Sequence, residues 1–319
     1  MALFDFRKVG GFPIYRGNTV AWDFGWVDDP AAVAGVVRAQ PFATAAATPA
    51  GQVSAEELPK EVCQWHAYRA LFGKNPPGKN QASVGSCVSF GTNTAADRTH
   101  TSAIVAAGGD KDQFQFFVEE VTYGGSRVEV GGGRIRGDGS VGAWAAEFVK
   151  KWGLLPRGKY DGRDLSRYSE STCREYGSRG VPDDLEPLAR EHPVRAVVAV
   201  NSWVEAKTLL ASGYGIAICS DQGFSMRRDA RGVAAPSGEW MHCMALDGYV
   251  VTDAGEFGHI ENSWSEDAHS GPVGWGDPSS AGFWAESRVI NRMLGQGDSW
   301  GFSDLVGFPA RKLNWRKLL

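Results

Sequence analysis

The chain has 319 residues, of which 43% are hydrophobic and 22% charged, as expected for a globular protein that buries a core. Its net charge of -4 excludes a strongly basic surface, so we expect no nucleic-acid partner. No apolar run reaches the roughly 20 residues of a membrane span, so we expect no membrane partner. The N-terminal residues lack a secretory signal pattern, which predicts a cytoplasmic or particle-associated protein.

Residues 1–57 differ in composition from the rest of the chain. Aromatic residues come first, and an alanine-rich stretch with few large side chains follows at 31–52. Such a segment cannot bury a core of its own, so we interpret residues 1–57 as an N-terminal arm or a short pro-segment. We expect residues 58–290 to form the main domain and residues 291–319 to form an extension with a basic tail.

Helices are predicted in the first half of the main domain. Small residues at helical spacing predict a helix over 87–107, which can be buried in close contact with its neighbours. A capping-box pattern at Asp110 predicts a second, short helix through 114–121. Apolar residues at helical spacing predict a third helix over 141–152, with Ser140 as its cap.

Strands are predicted in the second half of the chain, with one capped helix among them. Their β-branched and aromatic residues, separated by glycine-rich loops, lie at 194–200, 215–219, 239–251, 258–264 and 282–287. Helices followed by strands favour an α+β fold with two lobes over alternating βαβ units. A cleft between two such lobes is a natural place for a site.

The stretch NQASVGSCVSF, residues 80–90, surrounds Cys87 with small residues at a predicted helix start. Free backbone N–H groups and the helix dipole there favour a thiolate, which is the nucleophilic form of cysteine. A thiolate needs a base, and His242 begins an apolar stretch that reads as a buried strand. Asn262 lies twenty residues further on, beside Trp264, where its side chain can orient the imidazole.

These motifs resemble those of the papain-like cysteine peptidases. NQASVGSCVSF resembles their active-site signature, MHCMALDGYV resembles their histidine strand, and ENSW resembles their asparagine-serine-tryptophan. Cysteine, histidine and asparagine come in the family's order, and the resemblance extends over about 58–287. It implies a papain-like two-lobed fold, with a helical lobe carrying the cysteine and a β-rich lobe carrying the histidine and asparagine.

The resemblance also implies roles for individual residues. Cys87 would be the nucleophile, His242 its base and later acid, and Asn262 the group that orients His242. Gln81 would donate its side-chain amide to the oxyanion, alongside the backbone N–H of Cys87. The positions implied for substrate binding are Gly139, Ser140, Cys243 and Trp264. No cofactor is implied, and five cysteines without CxxC spacing predict no metal site.

Three positions depart from the family's pattern. Val84 stands where the family carries a second cysteine that forms a disulfide, which fits a protein not matured in an oxidising compartment. Val88 replaces the tryptophan that commonly follows the nucleophile, and Ser265 replaces the glycine that usually follows asparagine-serine-tryptophan. These changes leave the substrate preference open.

The leading hypothesis is a cysteine peptidase that hydrolyses peptide bonds of a peptide or protein through a thiol acyl-enzyme. The same chemistry would serve a hydrolase of peptidoglycan cross-links or isopeptides. A third hypothesis is a structural or interaction subunit of a larger assembly, such as a virus particle, that uses a peptidase fold as its scaffold. Its protein partner would be contacted through residues 1–57 and the C-terminal tail.

Overall fold

The computed structural model describes residues 4–17, 19–39, 58–304, 308–309, 311 and 313–318. The α-helices within these ranges are α1 Pro30–Ala39, α2 Trp65–Phe72, α3 Cys87–Ala106, α4 Glu119–Gly124, α5 Gly142–Trp152, α6 Glu170–Arg179, α7 Glu186–Ala189, α8 Trp203–Ala211 and α9 Ser287–Leu294. The strands are β1 Phe12–Arg16, β2 Thr19–Asp23, β3 Glu61–Cys63, β4 Lys159–Tyr160, β5 Arg163–Asp164, β6 Ala196–Ala199, β7 Ile216–Arg228, β8 Ala234–Thr252, β9 Gly255–Glu261, β10 Gly282–Glu286 and β11 Trp300–Ser303.

One sheet organises the β-rich lobe. Among the described residues it has nine strands, in the order β1-β2-β8-β7-β11-β6, with β3 and β9 also paired to β8 and β10 paired to β9. The long strand β8 therefore contacts β2, β3, β7 and β9. Its apolar residues are buried along most of its length, as the sequence predicts for this stretch. The mixed α+β class predicted from the sequence is confirmed.

Helix α3 packs against β8 and joins the helical lobe to the sheet. Sixteen of its twenty residues are buried, which its many small side chains permit. Gly91 marks a close approach, because a Cβ there would lie 2.8 Å from the Cys243 sulfur. The cost of glycine in a helix is therefore offset by close packing between α3 and β8.

Two local predictions were wrong. Asp110 caps only a 3-10 turn, Lys111–Gln113, and α4 begins later, at Glu119, because the residues between them are extended. Ser140 does not cap α5, since its hydroxyl donates to the Ser126 Oγ at 2.8 Å. A residue distant in sequence caps α5 instead: the Gly142 N–H, at the start of the helix, donates to Asp298 Oδ2 at 2.8 Å.

The predicted boundary at residue 290 does not match the structure. It falls inside α9, and β11 lies in the sheet between β7 and β6, so residues 291–303 belong to the main domain. Strands β1 and β2 extend the same sheet from the N-terminal side. Residues 40–57 of the predicted arm and parts of the basic tail lie outside the described residues.

No helix within the described ranges is both long enough and apolar enough to span a membrane.

A buried charge network ties α3 to β8 and β9. Arg98 Nε lies 2.8 Å from Asp247 Oδ2, and Arg98 Nη2 lies 3.9 Å from Glu261 Oε1. His259 Nδ1 lies 2.7 Å from the other Asp247 oxygen. Because all four side chains are buried, removal of the cation would leave carboxylates without compensation.

We therefore expect Arg98→Ala to lower the free energy of unfolding by about 3–5 kcal/mol. The matched control is Arg179→Ala, whose guanidinium is 80% exposed beside Glu175 and whose loss should change stability by less than about 0.5 kcal/mol. Urea denaturation of both variants measures the difference. Equal losses of stability in Arg98→Ala and Arg179→Ala would show that the buried Arg98 network does not stabilise the contact of α3 with β8 and β9.

Candidate active site

Cys87 is the first residue of α3, where the sequence predicts a helix start. It is buried, and the helix that it begins packs against β8. Burial is the largest influence on this thiol and raises the pKa of Cys87 well above its usual range. In this state the thiol is neutral, and desolvation outweighs the thiolate stabilisation that a helix start alone would give.

His242 lies on β8 and is held by Asn262, directly after β9. The ring Nε2 lies 2.9 Å from Asn262 Oδ1, so the amide oxygen accepts and this nitrogen carries the proton. The other ring nitrogen, Nδ1, is buried and has no hydrogen-bond partner among the described residues. Burial lowers the pKa of His242 to about 4, against the opposing effect of the Asn262 bond. The imidazole is thus neutral, with Nδ1 as its basic atom.

Aromatic rings and a second histidine support this pair. The Trp264 ring stacks on His242 at 4.8 Å between centroids. His269 Nε2 lies 3.2 Å from Asn262 Nδ2, on the far side of the amide from His242. His269 was not predicted as a site residue, because it sits in a polar, glycine-containing loop with no pattern that signals burial.

The Gln81 amide is oriented from both ends. Its Oε1 accepts from the Ser263 Oγ at 2.7 Å, so its Nε2 is directed the other way. That Nε2 donates to the Val84 carbonyl at 3.0 Å and to the Phe24 carbonyl at 3.3 Å. Ser263, which sequence reasoning also missed, therefore fixes the side of the Gln81 amide that can donate to a substrate oxygen.

Residues 23–27, named here the cleft segment, lie between the two lobes. The N–H groups of Phe24 and Trp26 both donate to the Met241 carbonyl, next to His242, at 3.0 and 3.4 Å. The Val27 N–H donates to the Ser140 carbonyl at 2.9 Å, on the opposite wall. The Phe24 ring lies 5.0 Å from the His242 ring. The cleft segment accordingly fills the space beside the predicted catalytic residues.

Of the positions implied for substrate binding, three contact this segment. The Ser140 N–H donates to the Gly25 carbonyl at 2.7 Å, Gly139 lies against the same carbonyl, and Trp264 packs on the Phe24 ring at 4.5 Å. The Cys243 side chain does not. Because side chains alternate along a strand, it points away from the His242 face and towards α3.

In this closed state the Cys87 sulfur and His242 Nδ1 do not hydrogen-bond. The structure nonetheless packs α3, which begins at Cys87, against β8, the strand that carries His242. Asn262 holds the imidazole, and the Gln81 amide donates to a carbonyl of the segment that covers the site. The four predicted residues are thus fully buried or nearly so beneath the cleft segment.

One cluster has the donor types of a metal site. Asp247, His259 and Glu261 bring three ligand atoms within 4.8 Å of one another. Arg98 already neutralises this cluster from 2.8 Å, so a cation placed there would face a fixed positive charge. The cluster fits an internal ion-pair network and does not fit a metal centre.

Comparison with solved structures identifies the fold. The chain is similar to xylellain, a cysteine protease from Xylella fastidiosa, with a TM-score of 0.53 and 15% identity over 95% of this chain and 100% of that one. It is similar to the proform of the Amb a 11 cysteine protease, a major ragweed pollen allergen, with a TM-score of 0.50 and 15% identity over 80% of this chain and 67% of that one. No family model and no curated protein matches the sequence. The resemblance noted in the sequence is therefore confirmed at the level of architecture: the chain has the fold of the papain-like cysteine proteases.

Proposed function

We propose that this chain is a cysteine peptidase that hydrolyses peptide bonds through a thiol acyl-enzyme, and that the cleft segment holds it inactive until displaced. The observation that carries the proposal is the oriented imidazole. Asn262 fixes the His242 ring at 2.9 Å and leaves Nδ1 free, on the strand against which α3, the helix that begins at Cys87, packs. This is the arrangement a cysteine nucleophile needs in order to lose its proton to a base.

The chemistry begins when the cleft segment leaves and water enters. The Cys87 thiol then transfers its proton to His242 Nδ1, and solvation favours the resulting thiolate–imidazolium pair. The thiolate attacks the substrate carbonyl carbon, and the oxyanion accepts hydrogen bonds from Gln81 Nε2 and the Cys87 N–H. His242 returns its proton to the leaving amine, and water, deprotonated by His242, hydrolyses the thioester.

Contacts of the cleft segment support the inactive state. The Phe24 carbonyl accepts from Gln81 Nε2, the donor that the mechanism assigns to the oxyanion. The Phe24 ring packs on His242 and keeps solvent from the imidazole. These contacts favour the pro-segment interpretation of the N-terminal residues over an arm that binds an assembly partner.

The test uses the full-length Gly25→Ala protein, in which a Cβ would meet the Gly85 carbonyl oxygen at 1.9 Å and displace the segment. We expect it to hydrolyse denatured protein, and an epoxide that labels Cys87 selectively should stop the reaction. Release of fragments from purified cell wall, and none from protein, would instead assign the peptidoglycan alternative. An unlabelled Cys87 with no hydrolysis of either substrate would contradict the proposal.

Replacement of Gln81 tests the oxyanion step. In the Gly25→Ala background we expect Gln81→Ala to lower kcat by about 10²–10³-fold with little change in KM, because its amide acts only when the oxyanion forms. The control is Gln113→Ala, at an exposed position in the 3-10 turn Lys111–Gln113, which should leave kcat unchanged. Epoxide labelling of Cys87 should stay normal in Gln81→Ala. Slow labelling together with low kcat would indicate a structural role.

A further inference from the structure

Three buried free cysteines lie together where α3 meets the sheet. Cys87 begins α3, Cys243 lies on β8 and Cys219 lies on β7. A Cβ at Gly91 would lie 2.8 Å from the Cys243 sulfur, so this sulfur rests on α3 one turn after Cys87. Residues four apart share one face of a helix, so Cys87 and Gly91 face the same way. After burial, the Cys243 thiol is the next cause that raises the pKa of Cys87, as expected for neighbouring thiols.

Cys243 and Cys219 lie directly opposite each other on neighbouring antiparallel strands. The Cys219 N–H donates to Ser299 Oγ at 3.3 Å, on the β11 side of β7, and so points away from β8. The two cysteines are thus a non-hydrogen-bonded pair, in which the Cα atoms come to about 4.5 Å and the side chains are closest. A disulfide needs a Cα–Cα separation of about 4.4–6.8 Å, so the strands need not move to form one.

The peptidase mechanism uses only Cys87 and leaves the other two thiols without a role. Once the cleft segment has left, Cys87 is a solvated thiolate beside His242, and the thiolate is the form that hydroperoxides oxidise. The sulfenic acid that forms first is reversible, but a further oxidation to the sulfinic acid is not. A second thiol next to the oxidised one prevents that loss, because it converts the sulfenic acid to a disulfide. Cys243 has this position.

We propose that the three cysteines form a thiol relay, in which Cys243 and Cys219 take over an oxidation that begins at Cys87. A hydroperoxide, ROOH, first converts the Cys87 thiol to the sulfenic acid and is itself reduced to the alcohol ROH. The Cys243 thiol then attacks the Cys87 sulfur, which forms a disulfide between Cys87 and Cys243 and releases the sulfenic oxygen as water.

A second exchange moves the disulfide away from the cleft. The Cys219 thiol attacks the Cys243 sulfur, so that Cys219 and Cys243 become joined and Cys87 leaves with the proton that Cys219 loses. Overall, ROOH gains two electrons and two protons from Cys219 and Cys243, and Cys87 is a thiol again. The relay therefore restores the predicted nucleophile after oxidation. It rests on the opening of the cleft that the proposed function requires, and it does not require peptide hydrolysis.

The first experiment treats full-length Gly25→Ala protein with hydrogen peroxide, blocks free thiols with iodoacetamide and maps disulfides by mass spectrometry of unreduced tryptic peptides. Trypsin separates the three cysteines, because Arg98 and Arg228 lie between them in the sequence. We expect Cys219 and Cys243 to be joined in the main product, with Cys87 recovered as a labelled thiol. In the wild-type chain the disulfide should form more slowly by about 100-fold, as expected for alkylation of the covered thiol. This experiment needs no cysteine variant.

The second experiment interrupts the relay at each step in full-length Gly25→Ala protein. In Cys243→Ala the sulfenic acid has no resolving thiol, so Cys87 should be lost to the sulfinic acid, which dithiothreitol does not reduce. In Cys219→Ala the disulfide between Cys87 and Cys243 should accumulate, and dithiothreitol should return the Cys87 thiol. The matched control is Cys63→Ala, because this buried free cysteine lies on β3 and its loss should leave both products as in the parent protein.

The outcomes separate the relay from the peptidase function. Sulfinic acid at Cys87 as the main product while all three cysteines are present overturns the relay and leaves the peptidase proposal standing. A lasting disulfide between Cys87 and Cys243, with none at Cys219, does the same, because the oxidation then stays on the nucleophile. The expected disulfide without any peptide hydrolysis supports the relay and overturns the peptidase. A Cys87 that reacts no faster in Gly25→Ala than in the wild-type chain overturns both.

Discussion

Replacing Gly25 with alanine is expected to raise the rate of Cys87 alkylation by about 100-fold, because the closed state would lose about 3 kcal/mol. Gly25 has a φ of +108°, a conformation that L side chains rarely adopt, and its Cβ would lie 1.9 Å from the Gly85 carbonyl oxygen. The Gly85 oxygen belongs to the backbone, and the position of a Cβ is fixed by the backbone of residue 25, so no side-chain rotation relieves the overlap. Residues 23–27 must move away from the cleft and admit solvent to Cys87 and His242.

The measurement is the rate of iodoacetamide labelling of each cysteine, followed by peptide mass spectrometry across acid to alkaline pH. In the closed wild-type chain the raised pKa of Cys87 keeps its thiol neutral, so labelling should rise only in alkaline solution. In Gly25→Ala, labelling should persist to lower pH, because an open His242 can pair with the thiolate. The control is Gly35→Ala in α1, where a Cβ meets nothing within 4 Å. Equal rates for wild type and Gly25→Ala would mean that the segment does not limit access.

The positions of Cys87, His242 and Asn262 could be anticipated because each depends on local pattern, whereas the role of Gln81 was implied by the family resemblance alone. Cys87 follows small residues at a helix start, and α3 begins at that residue. His242 lies in an apolar run that can only be a buried strand, and the following strand returns Asn262 to its side. Helix starts and strand periodicity depend on neighbouring residues, so they can be recognised in a single sequence.

The features that were not predicted from the sequence depend on contacts between distant parts of the chain. The cleft segment reaches the site because β2 pairs in parallel with β8, and no local pattern encodes that pairing. Asp298 caps α5 from 156 residues away and displaces the local candidate Ser140. The raised pKa of Cys87 follows from burial of the thiol, which outweighs the helix start beneath it.

The closed cleft also explains how a reactive pair can be kept neutral. Burial raises the thiol pKa of Cys87 and lowers the pKa of His242 to about 4, so both groups stay uncharged near neutral pH. A thiolate–imidazolium pair would need hydration or hydrogen bonds that the covered site withholds. If the proposed function holds, the cleft segment would act in two ways: it would block substrate and it would remove the solvent that the ionised pair requires.

Loss of the nucleophile should have the largest effect of all. In the Gly25→Ala background we expect Cys87→Ala to reduce kcat for peptide hydrolysis by about 10⁵-fold, since a methyl group cannot form the acyl-enzyme and only binding and oxyanion contacts remain. Cys63→Ala is the matched control, because this buried free thiol lies on β3 outside the cleft and its loss should leave kcat unchanged. Single-turnover assays with a fluorogenic peptide would measure both. Turnover retained in Cys87→Ala would exclude thiol catalysis, and the Cys87 thiol would then be an inert part of the contact between α3 and β8.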